Sequence, residues 1–554
     1  MQIHKPHPRR LPRQNPNACA SVLTACLVAM PALLAAPAVW AQAGDAAAVP
    51  LQVEGFNVQG NTLLPAADID ARLADFKGPS TLARLREAAS AVQDLYRRAG
   101  YGGVVAFLPE HTPTGGVVRI RVVEGKLERV DIADNVQFSA DNIRASLPAL
   151  EVGATPRVRR IDTQIQMANE NPAKVVQVLL QPGAVAGGVA AKVSVAEQPV
   201  QRWTARLDNT GSERTGRLRA ALGWQHANVA GRDHVFNAEV QLAPEELKSV
   251  AVVSAGYRVP FYAQSMALDV YGAWSDVDAG KSGTAAGDLE FAGRGHVLGL
   301  RGSAYLSRLG NVDQRLALAL EARDYLNDCA IAGLPAGACG SAGESVSVQP
   351  LSLAYTAQSG GENRLGLSLS LHHNLALGGR NGSAADFAAV RPGTVRRYTV
   401  LRASAQGTLP LDGGAAVVAH LSAQAADKPL VPGELFGIGG QYSVRGYEER
   451  ELGGDRGVQL GVEYLSADFG AAWSALPKGD WRWLLFAGAG RVSNRQGDPC
   501  LPGRTECTLG AVGAGLRMSL PGWQLRLDLA RALDNGATTA RGDTRAHLSL
   551  TASF

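Results

Sequence analysis

The sequence predicts an all-β transmembrane barrel of sixteen antiparallel strands preceded by two α+β domains. Three observations carry this. From about Trp203 onward, apolar and polar side chains alternate with period two. Residues 51–198 mix short strands with helical periodicity. The first 43 residues have the order of a secretory leader.

The leader comes first. Lys5, Arg9, Arg10 and Arg13 precede an apolar stretch from Ala18 to Trp40, which Pro31 and Pro37 interrupt. Small residues follow at Ala41 and Ala43. That order predicts a signal peptide over residues 1–43 and a short linker at 44–50. An anchoring helix is the competing reading, and the two prolines argue against it. Four of the 54 Lys and Arg residues lie in the leader and none of the 50 Asp and Glu residues, so the remainder is neutral. A nucleic-acid partner gains no support from this balance.

Two of the six cysteines, Cys19 and Cys26, lie in the leader. Cys329 and Cys339 form one close pair, and Cys500 and Cys507 another, each in a Gly/Pro-rich stretch. In an exported chain this predicts two local loop disulfides. No CxxC pattern is present, and no metal site is expected. No run of eighteen apolar residues follows the leader, so no transmembrane helix is predicted.

The second half supplies the barrel. In the final segment Ala546, Leu548, Leu550, Ala552 and Phe554 share one face, and Arg545, His547, Ser549, Thr551 and Ser553 the other. Trp523, Leu525, Leu527 and Leu529 against Gln524, Arg526 and Asp528 repeat the pattern. So do Leu365, Leu367, Leu369 and Leu371 against Gly366, Ser368 and Ser370. Soluble sandwiches also alternate. Segments of about ten residues that recur throughout, joined alternately by short turns and long polar loops with no helical interlude, predict an outer-membrane barrel instead. Lipid leaves a free strand edge without partners, so the sheet must close. Sixteen segments are countable over 202–554, from 202–209 to 544–554. An even number puts both barrel ends on one side. Pro521-Gly522 is then a tight turn on that side. Both cysteine pairs fall in loops on the other, as does the longest connection, loop six at 426–455. Phe554, in phase with the apolar face, reads as an assembly signal.

Residues 51–198 have another texture. Val53, Phe56 and Val58 suggest a strand ending at Gly60-Asn61. Ser80 is the expected cap of a helix with Leu82, Leu85, Ala89, Val92 and Tyr96 on its apolar face, ended by Gly100. Strands follow at Val104–Phe107 and Val117–Val123. A second unit begins near Leu127, with a helix around Val158–Ala168 and strands around Val175–Leu180 and Ala190–Val195. The expected units are 51–125 and 126–198.

Here a resemblance becomes specific. Phe56-x-x-x-Gly60-Asn61, Tyr96 with Gly100-Tyr101, Leu108-Pro109 and Val122-Val123-Glu124-Gly125 resemble the polypeptide-transport-associated (POTRA) domain of the hemolysin-activator (ShlB) type. Asn171-Pro172 with Gln181-Pro182-Gly183 resembles a second such domain. Leu207-Asp208-Asn209-Thr210-Gly211, with Thr215-Gly216, resembles the start of the barrel in the same proteins. The run Phe436-Gly437-Ile438-Gly439-Gly440-Gln441-Tyr442-Ser443-Val444-Arg445-Gly446-Tyr447, with Gly453, Asp455, Arg456 and Gly457 after it, resembles the loop-six motif of the BamA-like superfamily. The resemblance covers almost the whole chain after the leader. It is to the two-partner secretion transporters (TpsB), which export hemolysins and filamentous hemagglutinins.

That resemblance implies an outer-membrane translocator, not an enzyme. Its periplasmic POTRA domains would recognise a secreted, hemolysin- or adhesin-like partner exoprotein with an N-terminal TPS domain, and its barrel would export that chain unfolded. Outer-membrane lipid, and the barrel assembly machinery during biogenesis, are the other implied partners. No cofactor, nucleotide or nucleic acid is expected. Loop six should fold into the lumen with Val444, Arg445, Gly446 and Tyr447 near its tip. The family pairs this arginine with an aspartate on the thirteenth strand. Gly488 stands there in this chain, and lumen-facing Glu463 is the substitute candidate. Some family members carry a plug helix, which is expected to be absent or vestigial here, because only about eight residues separate Ala43 from Leu51. Two rival readings share parts of this picture: a BamA-like assembly factor, which usually has more periplasmic domains, and a passive porin, which needs none. Gly510-x-x-Gly513-x-Gly515 falls in a predicted strand and so is no dinucleotide loop. Arg541-Gly542-Asp543 reads as coincidence.

Overall fold

The computed structural model describes residues 51–554 apart from 111–113, 213–215, 246–250, 277–279, 285–286, 292–293, 327–340, 342–343 and 474. The expected leader and the pair Cys329 and Cys339 lie outside the described residues.

The first N-terminal unit is a three-stranded sheet with helices on one face. Gly55–Gln59 pairs in parallel with Val117–Glu124, which pairs antiparallel with Val104–Phe107. The helix Leu82–Arg98 lays Leu85, Ala88, Ala89, Val92 and Tyr96 against that sheet. Its cap is Thr81, whose side chain accepts from the Arg84 amide at 3.3 Å. Ser80, the expected cap, is already committed as the last residue of a short strand paired with Leu51. Leu82, expected on the buried face, is 59% exposed. A helix the sequence reading missed, Ala66–Leu73, buries Ile69 and Leu73 beside it.

The motif residues of this unit converge on one carboxylate. Glu124 accepts from the Thr62 amide at 2.7 Å, the Leu63 amide at 2.9 Å, the Tyr96 hydroxyl at 2.8 Å, and the Thr62 hydroxyl. Gly60 sits where a Cβ would lie 2.3 Å from the Val122 carbonyl oxygen, so only glycine permits the turn to approach. Burial disfavours the Glu124 charge, but the four donors outweigh it and hold its carboxyl below the ordinary carboxylate range. A depressed carboxylate contributes its stability above the unfolded value, near about 4.3, and loses it as pH falls through the folded value. Hydrogen-exchange protection of residues 55–63, corrected for intrinsic rate, is therefore expected to hold from neutral pH to about pH 5 and to weaken below about pH 4. In Glu124→Gln that acid dependence should vanish; if it persists unchanged, Glu124 is not its source.

The second unit has a three-stranded sheet in which Leu127–Ala133 pairs in parallel and Lys174–Pro182 antiparallel with the central Val189–Glu197. It carries the helices Ala140–Ser146 and Val158–Ala168. Small residues make the joint between the units close. The Gly102 amide donates to the Pro156 carbonyl and the Val158 amide to that of Gly100, both at 2.8 Å. A Cβ on Gly125 would lie 2.4 Å from the Gly103 oxygen.

This second unit docks on the barrel through a shared core. Phe138, Ile143, Leu147, Met167, Val176 and Val193 pack with Ala227, Tyr262, Ala267 and Tyr305 of the barrel. Polar groups inside the joint are paired, as burial demands. Lys174 Nζ lies 2.7 Å from Asp233 Oδ2, with both side chains almost fully buried. Asp233 also accepts from Asn171 Nδ2 at 2.6 Å and from the Tyr262 hydroxyl. Asn171 Nδ2 lies 2.7 Å from the Ala227 carbonyl oxygen as well. Burial lowers the Lys174 ammonium pKa below the usual lysine range, against the pull of Asp233. Nearer the lumen mouth, Glu170 meets Arg258, Arg315 and Tyr305.

The barrel closes from sixteen antiparallel strands, each paired with its sequence neighbours and the last with the first. The first is Gln201–Asp208 and the last Thr544–Ser553. The eighth is interrupted at Gln349, between Val346–Val348 and Pro350–Ser359. Short connections such as Pro521-Gly522 gather at the end that bears the N-terminal units, and the long loops at the other. Leu365, Leu367, Leu369 and Leu371 on the ninth strand are 48, 45, 49 and 47% exposed on the outer wall. A continuous apolar wall of that kind is stable against lipid rather than water. Trp203, Trp483 and Trp523 sit outward near the short-turn end, as interfacial aromatics do.

One expectation fails here. The barrel region has a helical interlude, Ala384–Val390 in loop five, with a capping box between Ser383 and Asp386. The Ser-x-x-Asp spacing was its local signal. Its Phe387 and Val390 bury in a small core with Val346, Val348 and Leu430.

The closing seam is short. It runs from Asp208 opposite Ser549 to Thr204 opposite Ser553. The Phe554 backbone adds a reciprocal pair with Trp203, and the Asn209 side chain bonds the Leu548 amide and the Ala546 carbonyl.

Candidate functional site in the barrel lumen

Loop six, residues 427–455 between the eleventh strand Ala416–Ala426 and the twelfth Arg456–Leu465, folds back into the lumen as a hairpin. Its legs are Phe436–Ile438 and Leu452–Gly454. The turn beyond them needs glycine. Gly439 and Gly440 have φ of +108° and +103°, and a Cβ on Gly440 would fall 2.3 Å from the Glu449 carboxylate. Apolar residues then seat the hairpin: Ile438, Val444, Tyr447 and Leu452 pack on Val492, Leu509, Ala511 and Ala532 of the wall.

The tip presents Arg445, 5% exposed, to three strands. Its Nη2 lies 2.5 Å from Glu463 Oε1 on the twelfth strand and its Nη1 3.2 Å from Asp528 Oδ2 on the fifteenth, Trp523–Ala532. The guanidinium stacks 3.6 Å from the ring centroid of Phe486 on the thirteenth strand, Asp480–Ser493. Two fork contacts and an aromatic face suit arginine and not lysine. Arg517 binds Asp528 on its other side, at 2.7 and 3.0 Å, so two guanidinium groups meet two carboxylates. Such balance is what permits charges to be buried.

The structure thus brings Glu463 to Arg445. Gly488 lies below Val444, and a Cβ there would meet nothing nearer than 3.8 Å. Asp528 was missed by sequence reasoning, although it stands in the polar phase of its strand. The other motif residues are also held. The Gly446 amide donates to His547 Nε2 at 2.9 Å. The Tyr447 hydroxyl lies 2.8 Å from the Gly510 carbonyl oxygen and 3.0 Å from that of Asp534. Glu451 accepts from the amides of Thr538 and Thr539 in loop eight, at 2.8 and 2.7 Å. Phe554 is 71% exposed at the rim of the outer wall, away from this site.

Asp455, in the run after the motif, ties three loops together. Its carboxylate takes Arg391 of loop five at 2.8 and 3.1 Å, the Leu430 amide at 2.7 Å and the Arg495 amide of loop seven at 2.8 Å. The Cys500–Cys507 disulfide closes loop seven onto the fourteenth strand, Glu506–Leu520. A cavity of about 640 Å³ remains in the lumen between loop six and strands six to twelve. Its wall mixes small side chains, such as Ala317, Ala354, Ser370 and Ser404, with charged ones that include Arg315, Arg323 and Arg402. Among the described residues no cluster of His, Cys, Asp and Glu fits a metal ion.

Comparison with known proteins agrees with this architecture. A model of the ShlB-type POTRA domain matches residues 51–125. The outer membrane transporter CdiB of Escherichia coli O6:K15:H31 is 26% identical over 494 residues, 83% of this chain and 75% of the relative. The CdiB of Dickeya dadantii is 26% identical over 157 residues, 28% of this chain and 27% of that one. The solved structure of CdiB from Escherichia coli superposes with a TM-score of 0.75 at 20% identity, covering 92% of each chain. CdiB from Acinetobacter baumannii gives 0.68 at 17% identity, over 91% of this chain and 90% of that one. The model of the haemolysin secretion/activation proteins ShlB/FhaC/HecB matches residues 187–518, and the chain belongs to that family of outer-membrane transporters, with its POTRA domains in the periplasm.

Proposed function

We propose that this transporter exports a partner exoprotein whose N-terminal TPS domain is captured by the two periplasmic units. The observation that carries the reading is the lumen itself: a loop seated by a few ion pairs, beside an unfilled polar cavity. A channel meant for passive diffusion has no need of the docked periplasmic units.

Capture uses sheet edges. Edge strand Val104–Phe107 exposes Val105 and Phe107, and edge strand Lys174–Pro182 exposes Val175 and Leu179. An extended, unfolded segment adds to such edges through backbone hydrogen bonds, and its alternate apolar side chains meet those exposed residues. The chain then threads the lumen while loop six shifts, and folding outside draws it forward. The ion-paired cysteine-free tip, Val444 to Tyr447, is the part that holds the loop at rest.

Deleting the gene should remove one large protein from the cell surface or culture medium while the outer-membrane barrel profile stays normal. Loss of many barrels instead would indicate an assembly factor. No change in either would refute export.

A further inference from the structure

We propose that Glu434 is a second, independent anchor of loop six, holding the root of the loop as Arg445 holds its tip. Glu434 is a positioning residue, and the inference rests on the reading that loop six occludes the export path.

Glu434 lies in the turn Pro432–Glu434 at the start of the loop, 2% exposed. Its Oε1 takes Arg323 Nη1 and the Tyr325 hydroxyl, both at 2.7 Å. Its Oε2 lies 3.2 Å from Arg402 Nη2, and its carbonyl accepts from Gln424 Nε2 at 3.0 Å. Arg323 is shared with Glu321, and Arg402 Nε donates to Gln424 Oε1 at 2.8 Å. The charges balance within this cluster as they do at the tip. Gly433 makes the seat possible, because a Cβ there would fall 2.3 Å from the Tyr325 ring.

The two anchors share no residue. The root is held by strands seven, ten and eleven, through Arg323, Tyr325, Arg402 and Gln424. The tip is held by strands twelve, thirteen, fifteen and sixteen, through Glu463, Phe486, Asp528 and His547. Arg323 and Arg402 line the same cavity as Tyr442 and Arg450 of the loop. Releasing the root therefore enlarges that cavity while the tip stays seated. A buried carboxylate between two guanidinium groups cannot be lost without leaving Arg402 uncompensated and Arg323 with Glu321 alone, so the anchor acts as a latch with a defined broken state.

The test is single-channel recording of the full-length protein in planar lipid bilayers, with heat-modifiable gel mobility as the check on a folded barrel. Glu434→Ala is expected to raise the open fraction roughly tenfold, with Glu434→Gln between it and the parent. Arg402→Ala, which leaves the Arg323 contact in place, should give a smaller rise. Adding Arg445→Ala to Glu434→Ala should open the channel further than either change alone. A folded Glu434→Ala barrel with parental opening overturns the proposal, and if that variant does not fold, parental opening in Arg402→Ala does so. When Arg445→Ala opens the channel and Glu434→Ala does not, only the second anchor fails. When neither does, the occluding role of loop six fails with it.

Discussion

Replacing Arg445 with alanine is expected to cut export of the partner protein by about tenfold or more while the barrel still assembles. The physical basis is the number of groups that one side chain satisfies. Removing one member of a buried ion pair costs about 3–5 kcal/mol. Here the cost is smaller, since Asp528 keeps Arg517 and Glu463 is 18% exposed at its side chain. A remaining penalty of about 2 kcal/mol still shifts a docked loop toward undocked states by more than tenfold, and a loop without its seat is expected to obstruct the threading chain rather than step aside as one body. The strand ladders do not depend on Arg445, so barrel yield should stay near normal. Arg445→Lys should recover little, because an ammonium cannot fork two carboxylates and lie flat on Phe486. Secretion assayed alongside gel mobility decides it, and parental export by the alanine variant would rule the role out.

Asp233→Ala should have an effect of similar size at the other end of the molecule. It strands the buried Lys174 ammonium and removes acceptors from Asn171 and Tyr262. The expected loss is about 3–5 kcal/mol of docking between the second periplasmic unit and the barrel. Limited proteolysis should then cut near residues 198–201 and release a fragment carrying both periplasmic units, with export falling in parallel. The double change Lys174→Met with Asp233→Asn removes the buried charges together and should restore most of the protection. Asparagine also tolerates the φ of +65° at position 233. Equal protease sensitivity in the single and double variants would mean that the ion pair does not hold the joint.

Period two made the barrel legible, because lipid outside and a polar lumen inside force every strand to declare its two faces. Leu365 to Leu371 and the phase of Phe554 carried that message without help from any neighbour. Glu463 could be named for Arg445 because it shares the lumenal phase on the strand beside Gly488. Asp528 could not, since it stands on another strand and reaches the arginine only through the curvature of the closed wall. Lys174 and Asp233 were invisible for the same kind of reason: a lysine in a sheet and an aspartate in a turn look solvated until the docked faces are known. Ser80 shows the converse error, in which a sound capping residue was already used by a strand pairing.

The seam between the first and last strands has a kinetic meaning. Asn209 and Leu548 are 339 residues apart in sequence, and their pairing closes the whole sheet into a ring. Bringing such distant ends together costs about 3 kcal/mol more entropy than closing a ten-residue hairpin. Until that moment the nascent sheet carries two raw edges, each open to pairing with another chain. The few ladder pairs there, the Asn209 side chain and the backbone of Phe554 are thus what covers both edges at once.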